Sequence, residues 1–452
     1  MDEERVYTAE ELENLIEEKR LVEVREYLSE QNEADIAVLL GELPIDKLSI
    51  AFRILPKELA ADTFAHLESD VQLNLIKAFS DNELNYIINN LFLDDTVDMI
   101  EEMPANVVKR ILQNCDPETR REINELLKYP EDSAGSIMTT EYVRLEEHMT
   151  VEDAFKRIRA VGVDKETIYT CYVTNVKKEV LGIVTVKDLL LADYADKIGD
   201  IMETNVIYVT TQEDQETVVK LFDKYDFLAI PVVDNEKRLV GIITFDDAID
   251  VIQEENTEDI EMMAAITPTD KPYINTGVFE TYKKRIPWLL LLMISATFTG
   301  AIITKYETAL GAYVILTAYI PMLMDTGGNA GSQASVSIIR GLSLDEINFS
   351  DIFRIQGKEL LVAFLCGLTL GIANFVKLLF LDRVDIVIAA IVCMTLLLTV
   401  VVAKFVGCTL PILAKRIGFD PAVMASPFIT TIVDALSLII YFQFASHILH
   451  LA

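Results

Sequence analysis

Past residue 286 the chain carries apolar runs near 286–304, 309–339, 360–380, 386–411 and 423–448. At about twenty residues or more, each is long enough to cross the hydrocarbon core of a bilayer. No other feature restricts the fold so strongly, because in lipid every backbone N–H and C=O must be satisfied within the segment, and these runs are therefore expected as five helices. Lys283, Lys284 and Arg285 precede the first run and assign the part before it to the cytoplasm. The later connections agree, with Arg340, Arg354, Lys358, Lys415 and Arg416 inside and Lys305, Lys377 and Arg383 outside. The opening MDEERVYTAEELENLIEEKR has no apolar signal core. The expectation is a multi-pass protein of the cell (plasma) membrane, its N-terminal domains cytoplasmic and its C-terminus extracytoplasmic.

Charge is divided as sharply as hydropathy. Of a net charge of −33, nearly all lies before residue 271, where 26 Lys and Arg face 61 Asp and Glu. Such a surface repels nucleic acid and anionic lipid and attracts cations. Residues 1–130 show apolar positions at helical spacing in short stretches, punctuated by Pro44, Pro56, Pro104 and Pro117. This predicts an all-α superhelical N-domain, since such short helices cannot bury their faces alone. Residues 133–197 and 198–250 repeat one another. SIMTTEYVRLEEHMTVEDAFKRI is answered by DIMETNVIYVTTQEDQETVVKLF, and EVLGIVTVKDLLLA by RLVGIITFDDAIDVI. Each copy reads strand, helix, strand, turn, strand, helix and resembles a CBS domain, the small α/β module that pairs in tandem. That resemblance implies ATP or another adenosine nucleotide as ligand, with Thr185, Asp188, Thr244 and Asp247 near ribose or phosphate. Helix capping alone also explains these T-x-x-D steps. An acidic connecting helix is expected over 246–282, ahead of a transmembrane domain at 283–452.

Asp325 and Asp434 are carboxylates inside apolar runs, where an ionised Asp costs roughly 2.5–3.5 kcal/mol at a helix centre. Such groups belong to a bundle interior or a wet path. In PFITTIVDALS, Thr430 and Thr431 precede Asp434 by four and three residues and share its helical face. In PMLMDTGGNAGSQ, Gly327, Gly328 and Gly331 permit close helix approach, and Gly327–Gly328 is expected to loosen the backbone and free carbonyl oxygens. The five cysteines are scattered singly and no H-x-x-x-H occurs. An oxygen-only ligand set suits a hard divalent cation, with Mg2+ the leading candidate because it is commonly held through one or two carboxylates with water retained.

The order of these parts, with PMLMDTGGNAGSQ and TTIVDALSL in the spans, resembles the MgtE family of magnesium channels across essentially the whole chain. The resemblance implies a homodimer in the bilayer, gated by cytosolic Mg2+. It further implies that Asp434 is the principal pore carboxylate, assisted by Asp325, Thr431 and backbone at Gly327, Gly328 and Asn329, and that the connecting helix acts as a plug. Candidate regulatory Mg2+ ligands are then Asp94 and Asp95, Glu216 and Asp226, Asp247, Asp250, Glu255, Glu258 and Asp259, and Asp420. Mutual repulsion would spread these acids at low Mg2+, and bridging ions would draw them together. The main alternative is a secondary exchanger, or a carrier for Mn2+ or Co2+. A CBS-regulated anion channel is disfavoured by the acidic intramembrane charge. An intramembrane aspartic protease would need Y-D and G-x-G-D contexts, whereas Met324 precedes Asp325 and Val433 precedes Asp434, so no enzyme is expected.

Overall fold

The computed structural model describes residues 7–269, 273, 274, 276–307, 311, 313–424 and 426–450. Residues 1–6, read above for targeting, lie outside these, as do 270–272 and 275 of the connecting segment and Ala309, the expected start of the second span. The chain forms two compact units, Met1–Ile252 and Gln253–Ala452.

The first unit opens with ten helices of eight to ten residues, from Ala9–Glu17 to Pro117–Leu126. Their shortness follows from dense start signals. Thr8 with Glu11, and Ser80 with Glu83, close capping boxes, and Pro44, Pro56 and Pro104 stand at N-caps. From the second helix on, packing is mainly between a helix and the next but one, as Glu33–Gly41 on Lys57–Ala65 and that on Asp81–Ile88, which is the expected superhelix.

Two three-stranded sheets follow, β1 (Tyr142–Leu145), β2 (Thr167–Thr174) and β3 (Val180–Thr185), then β4 (Val209–Thr210), β5 (Ala229–Val233) and β6 (Leu239–Thr244). In each, the first pair is parallel and the second antiparallel. The repeats exchange their leaders. Thr139 pairs with Ile242 of β6, and Glu203 with Ile183 of β3. Gly241 and Gly182 make this possible, because a Cβ at either would fall 2.8 Å from the Thr139 or Glu203 carbonyl oxygen. The N-domain core continues without interruption into the second repeat through Val218, Phe222, Ile243 and Val251.

The connecting helix spans Phe245–Met263, shorter than the expected 246–282. Ala265 at φ 55° ends the helical path, and the following strand of chain ties back, Thr267 N donating to the Lys284 carbonyl at 3.1 Å.

Among the described residues of the second unit, four helical stretches are long and apolar enough to cross a membrane: Val278–Lys305, Phe349–Phe380, Ile386–Arg416 and Pro421–Ile448. The second expected span, read as 309–339, is the helix Ile320–Ser343, whose hydropathy is lowered by Asp325, Thr326, Asn329, Gln333 and its serines. It is shielded by packing along Ile386–Arg416 and Ser426–Ile448. Its N-terminal end is fixed by a cluster around Leu316, Tyr319, Leu323, Leu396 and Phe442, where the Tyr441 hydroxyl donates to the Leu316 carbonyl at 3.0 Å.

Candidate functional site

Asp434 is half-buried on the C-terminal helix, facing the glycine-rich helix Ile320–Ser343, and lies near enough to Asp325 for their charges to repel. The glycines bring the backbones together. A Cβ at Gly327 would meet Thr399 Cγ2 at 2.7 Å and Val433 Cγ1 at 2.9 Å, one at Gly328 would meet Thr430 Cγ2 at 2.8 Å, and one at Gly331 would meet Ile429 Cγ2 at 2.7 Å. The helix is continuous through Gly327–Gly328, so the loosened backbone expected there does not occur. Their role is close approach, and their carbonyls stay within the helix. Asp325 and Asn329 are exposed and line an open cavity of about 510 Å³ with Gln333, Thr369 and Lys404. Thr430 and Thr431 both donate to the Pro427 carbonyl, at 2.9 and 3.0 Å.

Sequence reasoning missed one charged pair here. Lys404, 6% exposed, lies in the middle of Ile386–Arg416, its Nζ 3.5 Å from Glu359 Oε2. A basic residue in an apolar run was the available signal.

In the first unit several acids converge. Asp94 and Asp95 open the helix Leu93–Glu102, whose acids suit a helix N-terminus. Asp94, Glu141 and Glu166 bring carboxylate oxygens within 4.8 Å of one another. Glu141 accepts from Leu93 N at 3.3 Å, and Glu166 Oε2 is buried with no hydrogen-bond donor. Burial, then the Asp247 charge, raises Asp94 well above the carboxylate range and pushes Asp95 up to about 7 and Glu166 up to about 8. Asp247 is pushed to about 6 by burial, moderated by hydrogen bonds from Thr244, with Asp246 and Asp250 adding repulsion. Asp250 is raised by burial and Asp246. Three sequence candidates, Asp94, Asp95 and Asp247, thus meet, with Asp250 beside Asp247. Glu141 and Glu166 complete the cluster, though nothing in their local sequence marks them. Glu216 instead pairs with Lys220 at 2.9 Å, and Asp226 closes the same helix in the left-handed conformation at φ 55°.

The second-unit part of the connecting helix carries Glu255, Glu258 and Asp259, all half-buried. Asp259 accepts from Ser343 Oγ at 3.2 Å, and Met262 and Met263 pack against Ile339 and Ala422. Asp420 accepts from Ala422 N at 2.7 Å, capping the turn that leads into the C-terminal helix.

The two T-x-x-D steps diverge. Both close capping boxes or equivalent bonds, Thr185 with Asp188 and Thr244 with Asp247. Thr185 also lines a cavity of about 550 Å³ with Tyr169, Thr170, Lys187, Leu190 and Leu228, whereas Asp247 belongs to the acidic cluster, which repels phosphate.

Residues 320–444 match the divalent cation transporter family MgtE, 31–132 the MgtE intracellular N domain, and 134–194 and 198–254 the CBS domain. The chain is 36% identical over 426 residues to the magnesium transporter MgtE of Thermus thermophilus, covering 93% of this chain and 94% of that one. It is 32% identical over 440 residues to the magnesium transporter MgtE of Bacillus subtilis, covering 96% of each. Among solved structures, the cytosolic domain of the Mg2+ channel MgtE in complex with ATP matches at TM-score 0.51 and 38% identity, covering 54% of this chain and 99% of that one. The soluble part of a magnesium transporter matches at TM-score 0.51 and 29% identity, covering 54% and 96%.

Proposed function

The chain belongs to the MgtE family of magnesium transporters, multi-pass membrane proteins with an intracellular N domain, and on that premise we propose a Mg2+-selective pore that cytosolic Mg2+ closes. Asp434 is the pore carboxylate. Asp325, Asn329 and Thr431 offer further oxygen ligands to an ion that keeps much of its water, as Mg2+ prefers. Asp325, Asn329 and Gln333 form an exposed polar face on a helix inside the bilayer. Lipid does not tolerate such a face, and a second copy of the chain across a water-filled path supplies its partner.

The observation that carries the gating reading is the acid convergence around Asp94, Asp95, Glu141, Glu166 and Asp247. Carboxylates crowded together repel until a cation or protons join them. Mg2+ at this cluster joins the N-domain, the first CBS repeat and the start of the connecting helix. At the other end of that helix, Asp259 on Ser343 and Met262 and Met263 on Ile339 and Ala422 hold the inner ends of the glycine-rich and C-terminal helices. Glu255, Glu258 and Asp420 are the further acids through which bound Mg2+ favours this arrangement; Glu216 and Asp226 are weaker candidates, since they stand apart from the cluster. In the first CBS repeat, the cavity of Tyr169, Thr170, Thr185 and Lys187 takes an adenosine nucleotide, with Asp188 holding the Thr185 cap.

Mg2+ uptake by the Asp434→Asn and Asp434→Ala chains, matched for membrane expression, tests the pore. Loss of uptake in both is expected, and retention in both refutes the assignment. Proteolysis of the cytosolic unit tests the gate: Mg2+ slows digestion of the unaltered chain and loses that effect in Asp94→Asn/Asp95→Asn.

A further inference from the structure

The third span, Ile352–Phe380, has two unlike faces. Ala363, Gly367 and Gly371 are buried, and a Cβ at Gly367 would fall 3.2 Å from the Leu397 Cα of the neighbouring Ile386–Arg416 helix. On the opposite side Arg354, Lys358, Leu361, Leu368, Ile372 and Val376 are all exposed. At about 100° per residue these six fall within about 80° of one another, so the two cations head a single apolar stripe. The intracellular N domain and the two spans that precede this helix put its first turns at the cytoplasmic leaflet. From Lys358 to Phe380 the helix rises about 33 Å at about 1.5 Å per residue, close to the roughly 30 Å of a hydrocarbon core. Lys358 therefore stands at the hydrocarbon edge and Arg354, one turn earlier, among the headgroups.

The acids nearest these two cations in sequence are engaged elsewhere. Glu359 Oε2 lies 3.5 Å from Lys404 Nζ, and Asp351 accepts from Asn348 N at 3.1 Å. Other cations at this end of the unit are also held: Lys415 Nζ lies 3.2 Å from Asp345 Oδ1, and the Arg416 guanidinium lies 3.8 Å over the Phe349 ring. Among the described residues, the Arg354 and Lys358 side chains have no hydrogen-bond or ion-pair partner. Like charges four residues apart repel on a bare helix, and an anion between them removes that repulsion. We propose that this face holds an anionic phospholipid of the cytoplasmic leaflet, its phosphodiester between Arg354 and Lys358 and an acyl chain along Leu361, Leu368 and Ile372. The cations select the charged headgroup, and the stripe holds the chain, which a free phosphate lacks. The surface depends on the course of the span through the bilayer and not on which ion the protein carries.

The test uses the full-length protein in a neutral detergent, offered phosphatidylglycerol and phosphatidylcholine with the same acyl chains, and counts the lipid retained by native mass spectrometry. The unaltered protein is expected to retain phosphatidylglycerol over phosphatidylcholine by about fivefold or more. Arg354→Gln/Lys358→Gln should reduce that preference, and Lys358→Arg should keep it. Equal retention of the two lipids by the unaltered protein, or a preference undiminished in the double variant, overturns the proposal. Inorganic phosphate in excess, at matched ionic strength, should leave phosphatidylglycerol in place; its displacement would show a site for a small anion and overturn the lipid reading. Both side chains are exposed, so the double variant is expected to fold, and the comparison of the two lipids on the unaltered protein stands without it. Uptake by the Asp434 variants has no bearing on this count, so failure of the pore assignment and failure of the lipid site are read separately.

Discussion

At the scale of single residues, the membrane unit is held by glycines whose missing methyl groups are occupied by neighbours. Gly407 is the extreme case, since a Cβ there would fall on the Gly331 carbonyl oxygen, a backbone atom that cannot swing aside. Gly407→Ala is expected to destabilise the unit by about 1–3 kcal/mol, the usual range for overpacking. Gly357 also lies in a membrane helix but meets nothing within 4 Å, so Gly357→Ala should gain about 0.5–1 kcal/mol of helix propensity. Thermal unfolding of the two variants in the same detergent checks the contrast, and equal shifts would mean that the glycines do not set the helix contact. Asp325 and Asp434 were legible in the sequence because an acid in an apolar run is costly wherever it points. What those glycines do was only half legible: composition allows either a loosened backbone or a close contact, and the neighbours that decide it, Thr399, Val433 and Ile429, come from other helices.

At the scale of elements, the Phe245–Met263 helix joins chemistry at its two ends. Its start is tied by Thr244, whose backbone N–H and hydroxyl both donate to Asp247. Thr244→Ala removes this cap, at a cost of about 1 kcal/mol, and leaves Asp247 with fewer donors in a cluster already short of them. The apparent Mg2+ affinity of the cytosolic unit should therefore change, read by isothermal titration. Its far end rests on Ile339 and Ala422 through Met262 and Met263. Replacing both methionines with serine removes that apolar contact and is expected to leave uptake high at cytosolic Mg2+ concentrations that silence the unaltered protein; unchanged inhibition would separate this end of the helix from gating. The paired CBS repeats were legible because the chain states the motif twice. The exchange of leaders, Thr139 to β6 and Glu203 to β3, was not, since strand pairing between repeats leaves no periodicity within either. The acidic pattern continues beyond Glu261 only in composition; Ala265 in the left-handed region ends the helix, and Pro268 three residues on was the available stop signal.

At the scale of the whole molecule, stability and Mg2+ binding are linked through protons. The acids of the cluster are scattered in sequence at 94, 95, 141, 166 and 247, which is why the sequence supplied some members as part of a general acid excess and missed Glu141 and Glu166. Folding brings them together, and burial with mutual repulsion raises Asp247 to about 6, Asp95 to about 7 and Glu166 to about 8, against about 4 in an unfolded chain. The folded first unit therefore holds more protons than the unfolded chain between these values. By linkage its stability falls as pH rises from about 4 to about 8. Mg2+ binds the deprotonated form of the same groups, so its contribution grows over the same interval. Without divalent cation, the unfolding temperature of the cytosolic unit within the full chain should decline between pH 5 and pH 8. In saturating Mg2+ the decline should flatten, with the Mg2+-induced rise larger at pH 8 than at pH 6. Asp95→Asn/Glu166→Gln should both raise the metal-free unfolding temperature at pH 8 and shrink the Mg2+ response. A Mg2+-induced rise of equal size at the two pH values, in the unaltered protein, would mean that these carboxylates are not where the cytosolic cation binds.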